Sequence, residues 1–209
     1  MDIQELNALY KKKKPEIQKR LEDFKKIQLS SDGEIFSELC FCTLTPQSKA
    51  FSCWDAVVSL KEKGLLENGD AKKISKVLQK KVRFHNNKAK YIVKNRELFF
   101  SKSLKEFILQ HPDNKELRKW LAENIHGYGY KEASHFLRNI GFMNLAILDR
   151  HILKNLVVLG VIKEIPKSLT EKKYLEIEGK FEEFSKKINI SMDELDLLFW
   201  SAEAGEVFK

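Results

Sequence analysis

The sequence predicts an all-α protein. Three observations carry that expectation: apolar residues recur with helical periodicity nearly throughout the 209-residue chain, alternating strand-like runs are scarce, and proline is confined to positions 15, 46, 112 and 166. Each proline stands where a helix opens or a connection runs, the places that a missing N–H and a fixed φ permit. A chain of this length buries a sizeable core, either as one elongated domain or as two small lobes sharing a cleft.

From the N-terminus, Pro15 to about Leu29 reads as a helix that ends before the turn residues Ser30, Ser31, Asp32 and Gly33. The next helix, Glu34 to Leu44, would bury Ile35, Phe36, Leu39, Cys40 and Thr43, and another follows Pro46. Ser75 to Lys81 is a short basic helix, Val82 to Asn87 a loop, and a further helix runs from Lys88 to Phe100. Asp113 can cap a helix that reaches Asn124. Tyr130 to Ile140 follows, with Ala133, Phe136, Leu137 and Ile140 as its buried stripe and Lys131, Ser134 and Arg138 on a more exposed face. Ser191 and Glu194 have capping-box spacing, so a last helix starts there, buries Leu195, Leu198, Phe199 and Ala202, and stops at Gly205. Trp200 falls roughly opposite that stripe and therefore wants a partner in a neighbouring helix or a ligand.

The net charge is +8, which suits a polyanionic partner. Six of the 38 basic residues are arginine and the rest lysine, a composition that favours phosphate binding over reading of base edges. A general lysine bias would give the same numbers. Cys40, Cys42 and Cys53 lie in one apolar stretch without C-x-x-C spacing, as reduced core residues do. No run approaches the roughly 20 apolar residues of a membrane span, and the N-terminus lacks an apolar signal core, so a soluble, cytoplasmic protein is expected, nucleoid-associated if the cell is prokaryotic.

The chemistry concentrates in Ile125 to Gly141, IHGYGYKEASHFLRNIG. Gly127 and Gly129 can take positive φ and let the backbone approach a ligand closely. The N–H groups of such a hairpin and of the helical turn after it form an anion site suited to phosphate. Lys131 stands in that first turn, where the helix dipole disfavours a positive charge; an amine held there is one a covalent catalyst can use. A solvated lysine after an ordinary turn is the plain alternative. Asp149, before R-H-I-L-K-N-L, is both a candidate electrostatic partner and an ordinary helix cap.

I-H-G-Y-G-Y-K-E-A followed by L-D-R-H-I resembles the helix-hairpin-helix/Gly-Pro-Asp signature of DNA base-excision glycosylases. In that superfamily an L-P-G-x-G hairpin precedes a catalytic lysine, with an aspartate about eighteen residues further on; Lys131 and Asp149 are eighteen apart. K-E-A-S-H-F-L-R-N-x-G, L-A-I-L-D-R-H-I-L, V-R-F-H-N-N-K-A-K-Y-I-V and the terminal G-E-V-F-K resemble the type 2 8-oxoguanine DNA glycosylase/AP lyase family, in blocks from Glu38 to Lys209. Here His126 replaces the superfamily's hairpin proline, while the glycines that shape the turn are kept.

The resemblance implies two helical lobes flanking a cleft, one glycosylase unit over residues 1–209 with two helical subdomains and its hairpin at about 118–141. It implies a monomer that excises 8-oxoguanine from double-stranded DNA and cuts the abasic strand by β-elimination. Lys131 would be the nucleophile and Asp149 its electrostatic partner, with the purine stacked between Trp200 and Phe84 and distinguished by Lys209. An isolated aromatic beside a loop, as Phe84 is, is otherwise core, and a terminal lysine is otherwise a frayed end. Gly127, Gly129 and Arg138 would meet DNA. The hairpin would bind a monovalent cation through the carbonyls of Glu123, Ile125 and Tyr128. The four-cysteine cluster of endonuclease III-like relatives is missing, so no iron–sulfur cluster and no required cofactor are expected. Two alternatives stay open: the same fold acting on another oxidised base, and a non-catalytic module that only grips DNA.

Overall fold

The computed structural model describes residues 2–99 and 102–209. These residues form twelve α-helices: α1 Ile3–Gln28, α2 Asp32–Leu44, α3 Ala50–Glu62, α4 Leu65–Asn68, α5 Ala71–Leu78, α6 His85–Leu98, α7 Leu104–Leu109, α8 Asn114–Asn124, α9 Tyr130–Asn139, α10 Arg150–Val158, α11 Glu171–Ile188 and α12 Met192–Ala204. Among the described residues there is no strand, and no helix is long and apolar enough to cross a membrane. The chain divides into two compact units, residues 1–25 with 137–209 and residues 26–136, so α1 and α9 each run across a boundary.

Side-chain caps set most helix starts. Ser31, Asp70, Ser103, Asp113, Asp149, Thr170 and Ser191 each accept a backbone N–H from the first turn that follows. A cap of this kind contributes about 0.5–2 kcal/mol. Ser191 and Glu194 complete the expected capping box, and α12 ends at Gly205 with φ +86°.

In the unit of residues 26–136, α2 is the central helix, with α3, α6 and α7 against it and α5 laid along α6. From Ser37 to Leu44 it is buried all round, its residues apolar or small apart from Glu38. Cys40, Cys42 and Cys53 are buried free thiols, and burial pushes the Cys53 thiol up to about 11. In the other unit α10 and α11 pack on α12. There Arg138 is 1 % exposed, its Nη2 lies 3.1 Å from Asp196 Oδ2, and its guanidinium sits 4.8 Å from the centre of the Phe24 ring. Asp193 takes the Asn144 N–H at 2.9 Å; burial pushes its carboxyl up to about 6 against the pull of that bond and of Arg138.

Several boundaries differ from expectation. The first helix begins at Ile3, with Pro15 inside it. Asp2 caps this helix through Gln4 and Glu5, and buried Leu6 on one side of the proline and Ile17, Leu21 and Phe24 on the other hold it through the break. The short basic helix starts at Ala71 because Asp70 caps it, and α6 starts at His85 because Phe84 takes a left-handed conformation, φ 56°. Its predicted end, Phe100, lies outside the described residues. Ala202 is exposed, since α12 has left its core by its last turn. The helices α4 and α7 are too short to show a period, whereas the α11 stripe Tyr174, Ile177, Glu178, Phe181 and Ser185 carries one that its charged residues obscure.

Candidate active site

The hairpin is built on buried polar contacts. Helix α8 ends at Asn124, and Asn95, fully buried on α6, accepts the His126 N–H at 2.8 Å and donates to the His126 carbonyl at 3.1 Å. The turn closes where the Tyr128 N–H meets the Ile125 carbonyl at 3.1 Å, and the Tyr128 hydroxyl anchors it by donating to the Leu39 carbonyl at 2.9 Å. Burial raises the Tyr128 hydroxyl pKa well above the usual tyrosine range. His126, in the place of the superfamily proline, stacks on Tyr91 with rings 6.2 Å apart and inclined by 14°.

Of the two glycines only Gly127 takes positive φ, +87°, and a Cβ there would meet the Tyr91 ring at 2.8 Å. Gly129 stays outside the left-handed region, and its Cβ would meet nothing closer than Glu132 Oε2 at 3.6 Å. Gly127→Ala is therefore expected to destabilise the protein by about 1–3 kcal/mol more than Gly129→Ala, the cost of a strained non-glycine backbone. Thermal unfolding of the two variants checks this, and equal melting temperatures would refute it.

Lys131 follows in the first turn of α9, half-buried, with Nζ 3.4 Å from Glu132 Oε1. The Glu132 carboxylate also accepts the Gly129 N–H at 3.3 Å, so an acidic side chain stands at the anion site that the glycines suggest. The rest of the face expected to be exposed is not. Ser134 is fully buried and accepts from Arg118 Nη1 at 3.4 Å, while Arg138 is enclosed by Asp196 and Phe24. From Ala133 onward α9 is buried all round, with Ser134 and Arg138 partnered inside the protein. Arg138 is thereby withdrawn from phosphate contact by its side chain.

Asp149 caps α10. Its Oδ1 accepts the N–H groups of His151 and Ile152, both at 2.8 Å. The buried segment Leu145 to Leu148 that delivers it is pinned by α11: the Ala146 N–H reaches Glu178 at 2.8 Å, and the Tyr174 hydroxyl donates to the Ala146 carbonyl at 2.6 Å and accepts the Leu148 N–H at 3.3 Å. His151 in turn pairs through Nδ1 with Glu203 of α12 and accepts from Arg150 Nε at 3.1 Å.

The C-terminal tail is docked. Val207 is buried and its N–H reaches Glu16 at 3.1 Å, where Lys13 and this bond hold the Glu16 carboxyl below the usual carboxylate range. Phe208 lies 5.9 Å from Trp200, ring centre to ring centre, which gives Trp200 the partner its position demands, and Lys209 is half-buried. Phe84 is 54 % exposed, lifted out of the core by its left-handed backbone, with the Arg83 guanidinium 5.4 Å from its ring. Lys131, Gly127, Gly129 and Phe84 belong to the unit of residues 26–136; Asp149, Trp200 and Lys209 belong to the other. Asn95, Tyr91 and His151 support the site through partners 30 or more residues away, which leave no periodic signal, whereas Glu132 does so through its neighbours Lys131 and Gly129.

A glycine hairpin opening a lysine-bearing helix in an all-helical chain, with an aspartate-capped helix eighteen residues on, is the helix-hairpin-helix arrangement. The sequence pattern of 8-oxoguanine DNA glycosylase matches residues 17–190, and the chain belongs to that family. It is 48% identical to the 8-oxoguanine DNA glycosylase/AP lyase of Fusobacterium nucleatum over 210 residues, which cover 98% of this chain and 96% of the relative. The crystal structure of Methanocaldococcus jannaschii 8-oxoguanine glycosylase/lyase in complex with 15mer DNA containing 8-oxoguanine matches with a TM-score of 0.89 at 35% identity, covering 99% of this chain and 100% of that one. The Thermotoga maritima 8-oxoguanine DNA glycosylase matches with a TM-score of 0.86 at 34% identity, covering 99% and 97%.

Proposed function

We propose that this protein excises 8-oxoguanine from double-stranded DNA and cuts the resulting abasic strand by β-elimination, with Lys131 as the nucleophile. The observation that carries the reading is Lys131 in the first turn of the hairpin helix of a chain 48% identical to an 8-oxoguanine DNA glycosylase/AP lyase. The damaged nucleotide leaves the stack, since its anomeric carbon cannot be reached inside a duplex. The Lys131 amine attacks C1′ as the C1′–N9 bond breaks; the amine gives up a proton and the departing base takes one. The sugar opens to a Schiff base, a C2′ proton is removed, and the 3′ phosphate leaves. Hydrolysis of the imine then returns the free amine.

Asp149 stabilises the positive charge that grows on the sugar. Both cap bonds fall on Oδ1, so the carboxylate is held in a fixed orientation and Oδ2 takes no part in the cap. Trp200 and exposed Phe84 stack the extruded purine, at roughly 1–3 kcal/mol per stacked face. Lys209, on its docked tail, distinguishes 8-oxoguanine from guanine. The hairpin backbone meets the phosphates at Gly127, and at Gly129 once the Glu132 carboxylate gives up the N–H it holds. Neutral carbonyl oxygens suit a hard monovalent cation, and those of Glu123, Ile125 and Tyr128 would hold one; the Ile125 oxygen keeps a lone pair beyond its bond from Tyr128. The protein acts as a monomer in the cytoplasm, at the nucleoid in a prokaryotic cell, without a required cofactor.

Borohydride trapping tests the reading. A duplex with 8-oxoguanine opposite cytosine should yield a covalent protein–DNA adduct, and without borohydride a strand cut 3′ to the lesion. No adduct would sink the lyase mechanism, and stronger trapping on another oxidised base would reassign the substrate.

A further inference from the structure

One buried cation has no part in these roles. Lys88, in the first turn of α6, is 4 % exposed, and its ammonium donates to the carbonyls of Leu44 and Pro46, each at 2.7 Å, and to Ser48 Oγ at 3.0 Å. All three of these acceptors are uncharged. A lysine buried on neutral oxygens is a costly choice for filling space, which a methionine would do without desolvating a charge. What the ammonium adds is three directed donors, each of them used.

Those donors stitch together two connections. One is the turn between α2 and α3, where Gln47 has φ 55°; the other is the entry to α6, where Phe84 has φ 56°. Non-glycine residues in this region cost about 1–3 kcal/mol each and persist only where their surroundings over-determine them. Ser48 supplies part of that constraint, because the same Oγ that takes the Lys88 ammonium also accepts the Arg83 N–H at 3.0 Å. The Lys88 backbone supplies the rest, its own N–H donating to the Phe84 carbonyl at 3.0 Å. The backbone on either side of Phe84 is thus held, at the Arg83 N–H before it by Ser48 and at the Phe84 carbonyl after it by the Lys88 N–H. Cys53 adds a donor to the shared Leu44 carbonyl, at 3.2 Å. Burial pushes the Lys88 ammonium down to about 8, opposed by Cys53 and reinforced by the positive charges of Lys131 and Arg83, so the clamp lies within the electrostatic reach of the hairpin lysine.

We propose that Lys88 is a positioning residue for base recognition: its ammonium ties the α2–α3 turn to the entry of α6 and so holds Phe84 as a preformed stacking face for the extruded purine. The proposal rests on the reading of Phe84 given above and adds the device that keeps it ready. Phe84 needs no reordering when the base arrives, and the entropic cost of binding is lowered accordingly.

The test compares two steps of the same enzyme, excision of 8-oxoguanine from a duplex and β-elimination at a preformed abasic site, which has no base to stack. In Lys88→Met, Ser48→Ala and Phe84→Ala the ratio of excision rate to elimination rate should fall about 5- to 150-fold, the equivalent of one lost stacking face. Lys88→Met combined with Phe84→Ala should fall no further than Phe84→Ala alone, as expected of residues acting in one unit. Lys88→Arg, which keeps charge and donors, should recover part of the ratio. A Lys88→Met or Ser48→Ala protein that loses both steps equally, or neither, overturns the clamp. If wild type excises the lesion and Phe84→Ala does not, a fully active Lys88→Met overturns the clamp alone. A wild type with no lesion excision overturns the underlying reading and the clamp with it.

Discussion

Lys131→Gln protein is expected to form no borohydride-stable adduct with 8-oxoguanine DNA, and its excision rate to fall by roughly three orders of magnitude or more. Glutamine keeps the length and polarity of the side chain but carries no nucleophilic amine, so the bond to C1′ cannot form. DNA affinity is expected to persist, because the hairpin is held by Asn95, Tyr91 and Tyr128, none of which depends on the Lys131 ammonium. Lys131→Arg separates charge from nucleophilicity. It restores the cation beside Glu132 but leaves a group that is not deprotonated, and it too should fail to trap. Single-turnover excision with anisotropy binding on the same duplex gives both answers. Full excision by Lys131→Gln would show that another group displaces the base and would overturn Lys131 as the nucleophile.

This part of the site is legible in the sequence because its chemistry is local. Gly127, Gly129 and Lys131 fall within five residues, and Asp149 announces itself as a cap through the helix it opens. The α9 core stripe is equally local and lies where the 3.6-residue period puts it, with Ala133, Phe136, Leu137 and Ile140 fully buried. What the sequence conceals is the fate of polar side chains. Ser134 and Arg138 lie on a polar face that reads as solvent, and only partners far along the chain, Arg118 and Asp196, make it an interior. Phe84 misleads in the opposite sense, since nothing in V-R-F-H-N-N marks the left-handed backbone that exposes it. Pro15 marks no helix start because burial on both sides of it outweighs the lost hydrogen bond. Local rules fail here at buried polar groups and at strained backbone, the two features that tertiary context decides.

Asp149 joins the legible and the hidden, and two substitutions divide its roles. Asparagine is as good a cap as aspartate and can accept the same N–H groups of His151 and Ile152 through its single side-chain oxygen, so Asp149→Asn should unfold within about 0.5 kcal/mol of wild type. It removes the negative charge, however, and excision should fall roughly 100- to 1,000-fold, as when a preplaced electrostatic group is deleted from an active site. Asp149→Ala removes cap and charge together. It should match Asp149→Asn in excision and in addition lose about 0.5–2 kcal/mol of stability, visible as a lower melting temperature. The pair is decisive because the two roles predict different patterns. If the carboxylate only caps α10, Asp149→Asn excises like wild type and Asp149→Ala suffers in proportion to its instability. If it stabilises the sugar cation, the two variants fail alike in catalysis whatever their difference in folding.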